Sequence, residues 1–144
     1  MVDFSPRPRV FVSHSSLDMW VARQIAEHIG SRGAATFLDC HDLQDGDFED
    51  TIRAAISDCD ELALLITPWS LKRRFVWMEV GGFWSNSKRI DIILYGVTQK
   101  QLTRDDNFPT YLKRLTMVDL NSVDAYFDRL GKRVENWRKD NGYA

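Results

Sequence analysis

The chain has 144 residues, 44% of them hydrophobic and 28% charged, with a formal net charge of −2; its pI is near 5.9. That length and mixture fit one globular domain with a full core and exclude a disordered chain. The slight acidity argues against nonspecific nucleic-acid binding, which runs on phosphate neutralisation, and leaves Lys72-Arg73-Arg74 and Lys113-Arg114 as solvated basic clusters.

No charged segment leads into an apolar one at the N-terminus, and the longest unbroken apolar run, 62–66, is far short of a membrane span. Cys40 and Cys59 lack metal-ligand spacing and are too few for a disulfide framework. The expected setting is the cytoplasm, without a membrane or nucleic-acid partner.

In chain order, residues 1–8 carry two prolines and read as a lead-in, with a single domain expected over 9–141. Residues 9–13, β-branched and aromatic, predict a first strand. His14-Ser-Ser16 is a polar loop, and Ser15 with Asp18 suits a helix start. Val21, Ile25 and Ile29 recur every four residues, giving a helix that stops near Gly30 to Gly33.

Residues 35–39 form a second strand, followed by an acidic, glycine-containing loop over 40–47. Phe48, Ile52, Ala55, Ile56 and Cys59 share one face of the next helix, with Asp47 as its cap. The nearly continuous apolar run 61–67 fits a central strand covered on both faces. Pro68 breaks it. A fourth strand is expected over 89–95, then a polar, irregular segment over 96–109 with at most a short helix. A fifth strand over 115–120 and a last helix opening at Ser122 complete the chain; Val123, Tyr126, Phe127, Leu130, Val134 and Trp137 keep its helical period.

This alternation predicts an α/β fold, a doubly wound parallel sheet with helices on both faces. Ligands of such sheets bind at the carboxyl ends of the strands, near the switch in strand order. Three polar segments converge there: 13–16, 39–47 and 67–79. The last leads into Phe75-Val-Trp-Met-Glu-Val-Gly-Gly-Phe-Trp84, where Val76, Trp77, Val80, Phe83 and Trp84 share an apolar arc at about 100° per residue. Glu79 sits at the edge of that arc between Phe75 and Phe83, as a boundary carboxylate whose charge acts strongly on a neighbouring ligand.

Several chemistries are excluded. No phosphate-binding G-x-x-x-x-G-K-[ST] occurs, and Gly81-Gly82 lies within a helix. Aligning Gly46 with the glycine of a calcium loop puts His41, Leu43 and Ile52 at oxygen-ligand positions, so calcium does not fit. Ser13, His14 and Asp39 could be drawn as a triad, but no nucleophile elbow is present. The acidic loop reads as solvated, with no metal site.

Val10-Phe-Val-Ser-His-Ser-Ser16, Phe37-Leu-Asp39, Leu43-x-x-Gly46-x-Phe48 and the segment from Trp69-Ser70 to Glu79 follow one another at a characteristic spacing. The set resembles a TIR (Toll/interleukin receptor) domain over roughly 9–137, closest to bacterial standalone members. The resemblance implies a flavodoxin-like five-stranded parallel sheet. It also implies one of two functions: cleavage of NAD+ at the nicotinamide–ribose bond, giving ADP-ribose or a cyclised form, or a non-catalytic interaction module such as an adaptor or host-mimicking effector.

In the enzymes of this family the catalytic residue is a glutamate on the helix after the third strand, which Glu79 matches. Phe75 stands where the family often has tryptophan, with Trp77 nearby. Asp39 and the loop to Gly46 match a segment bordering the nucleotide, and Phe48 an aromatic at the next helix start. His14 and Ser15 occupy a loop where some relatives carry arginines, a role that backbone N–H groups at the helix start can take. No cofactor is implied, NAD+ being the substrate. Head-to-tail self-association is implied, with 40–47 as the natural contact element, as is a separate effector sensing the product in antiphage defence.

Overall fold

The computed structural model describes residues 6–38 and 47–143. Its strands are β1 (Arg9–Ser13), β2 (Ala35–Leu38), β3 (Glu61–Ile66), β4 (Arg89–Leu94) and β5 (Met117–Asp119). The helices are α1 (Met19–Ser31), α2 (Asp47–Asp58), α3 (Arg74–Ser85), α4 (Gln99–Arg104), α5 (Thr110–Lys113) and α6 (Asp124–Asp140). Every strand pairing is parallel, as the alternation of elements predicts, and the order is β2-β1-β3-β4-β5, the flavodoxin-like winding that the resemblance implies. The chain steps from β1 outward to β2, then returns across β1 to β3, so the switch in strand order lies between β1 and β3.

Side chains alternate across the sheet, and the two faces bury different helices. Val10 and Val12 face α1 and α6, joining Ile25, Ile29, Tyr126, Phe127, Leu130 and Val134. Phe11 faces the other way, among Ile52 and Ile56 of α2 and Val76, Val80 and Phe83 of α3. With strands on both sides and helices on both faces, β3 is buried at every residue, as its continuous apolar run predicts.

Two glycines fix close approaches. Gly33 ends the first helical unit with φ +92°, and a Cβ there would lie 3.3 Å from Val134 Cγ1. At Gly82 a Cβ would come within 3.0 Å of Ile56 Cγ2, so the missing side chain sets the α2–α3 spacing. Just beyond α3, Lys88 Nζ donates to the carbonyls of Ile56, Ser57 and Cys59 at 2.7, 2.9 and 2.7 Å. One cation thus closes the carbonyl end of α2, where the helix dipole favours positive charge.

Two expectations differ, for the fifth strand and for the segment after Pro109, while 96–109 agrees. The fifth strand pairs only over Met117–Asp119, because Asp119 accepts from Asn121 N–H and turns the chain into a 3-10 turn, Leu120–Ser122, before α6. The segment 96–109 does hold one short helix, α4, started by a reciprocal capping box between Thr98 and Gln101. A second short helix, α5, follows Pro109 where none was expected.

Candidate active site

The period-two alternation that points Phe11 at α3 does the same for Ser13, the last residue of β1. Both Ser13 and Glu79 are fully buried, and Ser13 Oγ donates a hydrogen bond to Glu79 Oε2. Glu79 is therefore not the boundary residue its place on the helical arc suggested. It is a sealed carboxylate facing the end of a central strand, on the carboxyl edge of the sheet at the β1–β3 switch.

The loops after β1 and β3 are locked together beside this pair. Ser15 caps a 3-10 turn, Ser16–Asp18, by accepting from Leu17 N–H at 3.3 Å. Asp18, 5% exposed, reaches across and accepts from Thr67 Oγ1 at 2.7 Å. Thr67 and Ser70 close the second loop: Thr67 N–H donates to Ser70 Oγ at 2.7 Å and Ser70 N–H to Thr67 Oγ1 at 3.2 Å. Buried polar networks of this kind rigidify the backbone that carries them, because each unmade bond is costly. The carboxylate thus rests on a fixed frame.

His14 is buried, its Nδ1 2.8 Å from the Ser15 carbonyl. It lies beside Ser13 in the chain, so the structure gathers Ser13, His14, Ser15 and Glu79 at one edge. Phe75 is 42% exposed on the first turn of α3, one turn before Glu79. Trp77 is turned elsewhere: its indole N–H donates to the Leu71 carbonyl at 3.2 Å and its ring meets Phe108 edge-on at 6.0 Å. Trp84, placed on the apolar arc by its spacing, is 54% exposed and packs on Tyr111 with ring centres 4.6 Å apart. Asp39, Gly46 and the segment 40–46 lie outside the described residues, as does the side chain of Phe48 at the start of α2.

Ser13, Thr67 and Ser70 fall in the segments expected at this edge and Asp18 in the S-x-x-D spacing, but none of the four was assigned a site role by sequence, and the bonds that join them were not legible there. Burial pushes the Cys59 thiol up to about 11, so it is no thiolate nucleophile at neutral pH. Among the described residues no group of three or more His, Cys, Asp and Glu could hold a metal. A cavity of about 630 Å³ opens between α2 and α3, beside Arg53, Met78 and Gly82, and another of about 260 Å³ lies between α1 and α6 beside Trp20 and Phe127. Neither is lined by Glu79.

Two further observations bear on the setting. Leu17, Trp20, Trp69 and Phe75 are exposed by 64, 70, 50 and 42%. All four lie in the segments that follow β1 or β3, Trp20 on the α1–α6 side of the sheet and Phe75 on α3. No helix among the described residues is long and apolar enough to cross a membrane.

Comparison with known proteins gives the family. No curated protein matches the chain. Among solved structures it is similar to the TIR domain of the Toll-related receptor TRR-2 from Hydra magnipapillata, with TM-score 0.62 and 23% identity over 86% of this chain and 94% of that one. It is similar to a metazoan TIR-STING receptor from C. gigas, with TM-score 0.62 and 21% identity, spanning 93% of this chain but 43% of the receptor. A CMP N-glycosidase from Clostridium botulinum, BcmB, is similar at TM-score 0.55 and 16% identity, over 85% of this chain and 97% of that one. These likenesses show the fold. The family model for the TIR domain matches residues 10–133, from the first strand into the last helix, and the chain belongs to the TIR domain family.

Proposed function

We propose that this TIR domain cleaves NAD+ at the nicotinamide–ribose bond, with Glu79 as the catalytic residue. The observation that carries the reading is a buried carboxylate on α3, held from β1 at the carboxyl edge of the sheet where its strand order switches. A fold neighbour named as a CMP N-glycosidase supports chemistry at a bond between a ribose carbon and a base nitrogen.

The reaction asks little of the protein. The C1′–N bond breaks with its electron pair going to the pyridinium nitrogen, so nicotinamide leaves neutral and needs no proton. The ribose becomes oxocarbenium-like, as in glycoside hydrolysis. One fixed carboxylate beside it stabilises the positive charge. Water then adds at C1′ and loses a proton, giving ADP-ribose; attack by a nucleophile within the same molecule gives a cyclic product. The reading places the enzyme in the cytoplasm, making a nucleotide signal for a separate effector in antiphage defence. Incubating purified chain with NAD+ and identifying the products by chromatography and mass spectrometry tests it.

Because the carboxylate meets a carbocation directly, no metal is required. EDTA in excess is expected to leave the rate unchanged; a loss restored by Mg²⁺ would move the chemistry to the acidic loop.

In the single chain Glu79 has no exposed surface, so it must be uncovered before a ribose reaches it. We assign that step to association of chains through the apolar rim of Leu17, Trp20, Trp69 and Phe75. A head-to-tail contact of this kind propagates instead of closing as a dimer. Turnover per molecule is expected to fall on hundredfold dilution and to fall further in Trp20→Ser, whose fold is unchanged. Constant turnover with a monomer throughout, by light scattering, would show the site to be complete in one chain.

The alternative, a non-catalytic TIR interaction module, is favoured by the same sealed carboxylate. It predicts association without any NAD+ turnover.

A further inference from the structure

We propose that Ser13 is the positioning residue for Glu79, fixing the carboxylate for the charge that develops on ribose; this rests on the reading of Glu79 as catalytic. The geometry comes from two matched rows. On β1, Phe11 and Ser13 point at α3 and lie roughly 6.6 Å apart along the strand. On α3, Phe83 and Glu79 are four residues apart, roughly 6 Å along the helix axis. Phe11 meets Phe83 with ring centres 5.5 Å apart, and Ser13 meets Glu79. The helix therefore descends beside the strand one rung at a time, an aromatic rung and then a polar one.

The polar rung is out of place on packing grounds. The face it shares is apolar, and Phe11 immediately before it is core. A fully buried serine in such a place calls for a reason, since an alanine or valine would fill it without a hydroxyl to satisfy. The reason is at the other end of the hydrogen bond. A glutamate side chain has three torsions, and a carboxylate stabilises a transient cation best when it need not reorganise as the charge appears. Ser13 sits on a central strand between β2 and β3, which gives the donor a fixed origin.

The Ser13 hydroxyl contacts Glu79, and its proposed effect runs through that carboxylate. Removing a hydrogen bond to a charged group should lower kcat roughly ten- to hundredfold while KM stays within about twofold. Because the donor favours the ionised carboxylate, its loss should also move the acid limb of the pH–rate profile to higher pH.

The experiment compares wild type, Glu79→Gln, Ser13→Ala and Ser13→Cys on NAD+ at a fixed protein concentration, with melting curves for each. The expected order of kcat is wild type, then Ser13→Cys with its weaker S–H donor, then Ser13→Ala, with KM nearly constant. A Ser13→Ala enzyme with wild-type kcat and an unmoved acid limb, while Glu79→Gln is inactive, overturns the role of Ser13 and leaves Glu79 standing. A change in KM or melting temperature alone overturns it equally. Glu79→Gln as active as wild type, or a wild type that leaves NAD+ intact, removes the underlying reading and Ser13 with it.

Discussion

Glu79→Gln is expected to cleave NAD+ roughly a thousand times more slowly than wild type, with its fold intact. Two unit charges about 4 Å apart at an effective dielectric near 20 interact by about 4 kcal/mol. An interaction made only in the transition state appears in full in the rate, at about 1.4 kcal/mol per factor of ten. Glutamine keeps the length of the side chain and an amide oxygen that can still accept from Ser13 Oγ. It also relieves the burial of a charge, so melting temperature should not fall. Product formation followed by chromatography and unfolding followed by circular dichroism separate the two quantities. Near-wild-type cleavage by a folded Glu79→Gln would remove this carboxylate from the chemistry.

Arg133→Met is expected to unfold the domain far more readily without touching the candidate site. At the opposite edge of the sheet, Arg133 on α6 donates to Glu61 Oε1 at 2.7 Å and approaches Asp91 Oδ2 at 3.4 Å. Arg89 shares Asp91, at 2.8 Å, and that bond holds its guanidinium above the usual range. Glu61 opens β3 and Asp91 is the third residue of β4; they are 7 and 2% exposed, so neither can turn to water. Removing Arg133 leaves two buried carboxylates with one cation. Breaking a buried pair from one side costs about 3–5 kcal/mol, and partial exposure of Arg133 favours the lower figure. For a domain of this size that is a fall in Tm of roughly 10 °C. Adding Glu61→Gln and Asp91→Asn to Arg133→Met should recover most of the loss, since the stranded charges are then gone. A single variant that melts within about 2 °C of wild type would show the pair to be solvated.

The elements that sequence pattern reaches are those whose signal is local. The run 62–66 reads as a central strand because each of its residues is apolar, and Ile25 and Ile29 mark the inner face of α1 by spacing alone, although Val21, expected with them, is half-buried and Ala22 takes the inner position. Edge elements are less legible. β5 has one neighbour, so the six-residue strand expected over 115–120 pairs over three before Asp119 captures the chain. The capping box at Thr98 and Gln101 starts the short helix allowed over 96–109, a stretch whose weak apolar period left the helix's place open.

Within the candidate site, the place of Glu79 on the helix after the third strand is legible and its environment is not. Its partner Ser13 stands 66 residues away, and Thr67 stands 49 from Asp18. No window on the sequence spans those distances. Trp77 shows the converse error: nearness in the chain to Glu79 suggested a shared role, whereas the pitch of the helix carries its ring to Leu71 and Phe108.

The alternating aromatic and polar rungs between β1 and α3 work as a detent. If α3 slid along the strand by one turn, either Phe75 or Phe83 would come opposite Ser13, burying a hydroxyl against a ring and stranding the carboxylate. Intermediate positions would lose both contacts, Phe11 with Phe83 and Ser13 with Glu79. Sliding is therefore blocked at every step. The motion left to expose Glu79 is perpendicular to the strand: α3 tipping outward about the Phe11–Phe83 contact as its fulcrum, or the segments above the carboxylate swinging clear. In the proposed activation by association, a neighbour would act at the N-terminal end of α3, where Phe75 is 42% exposed.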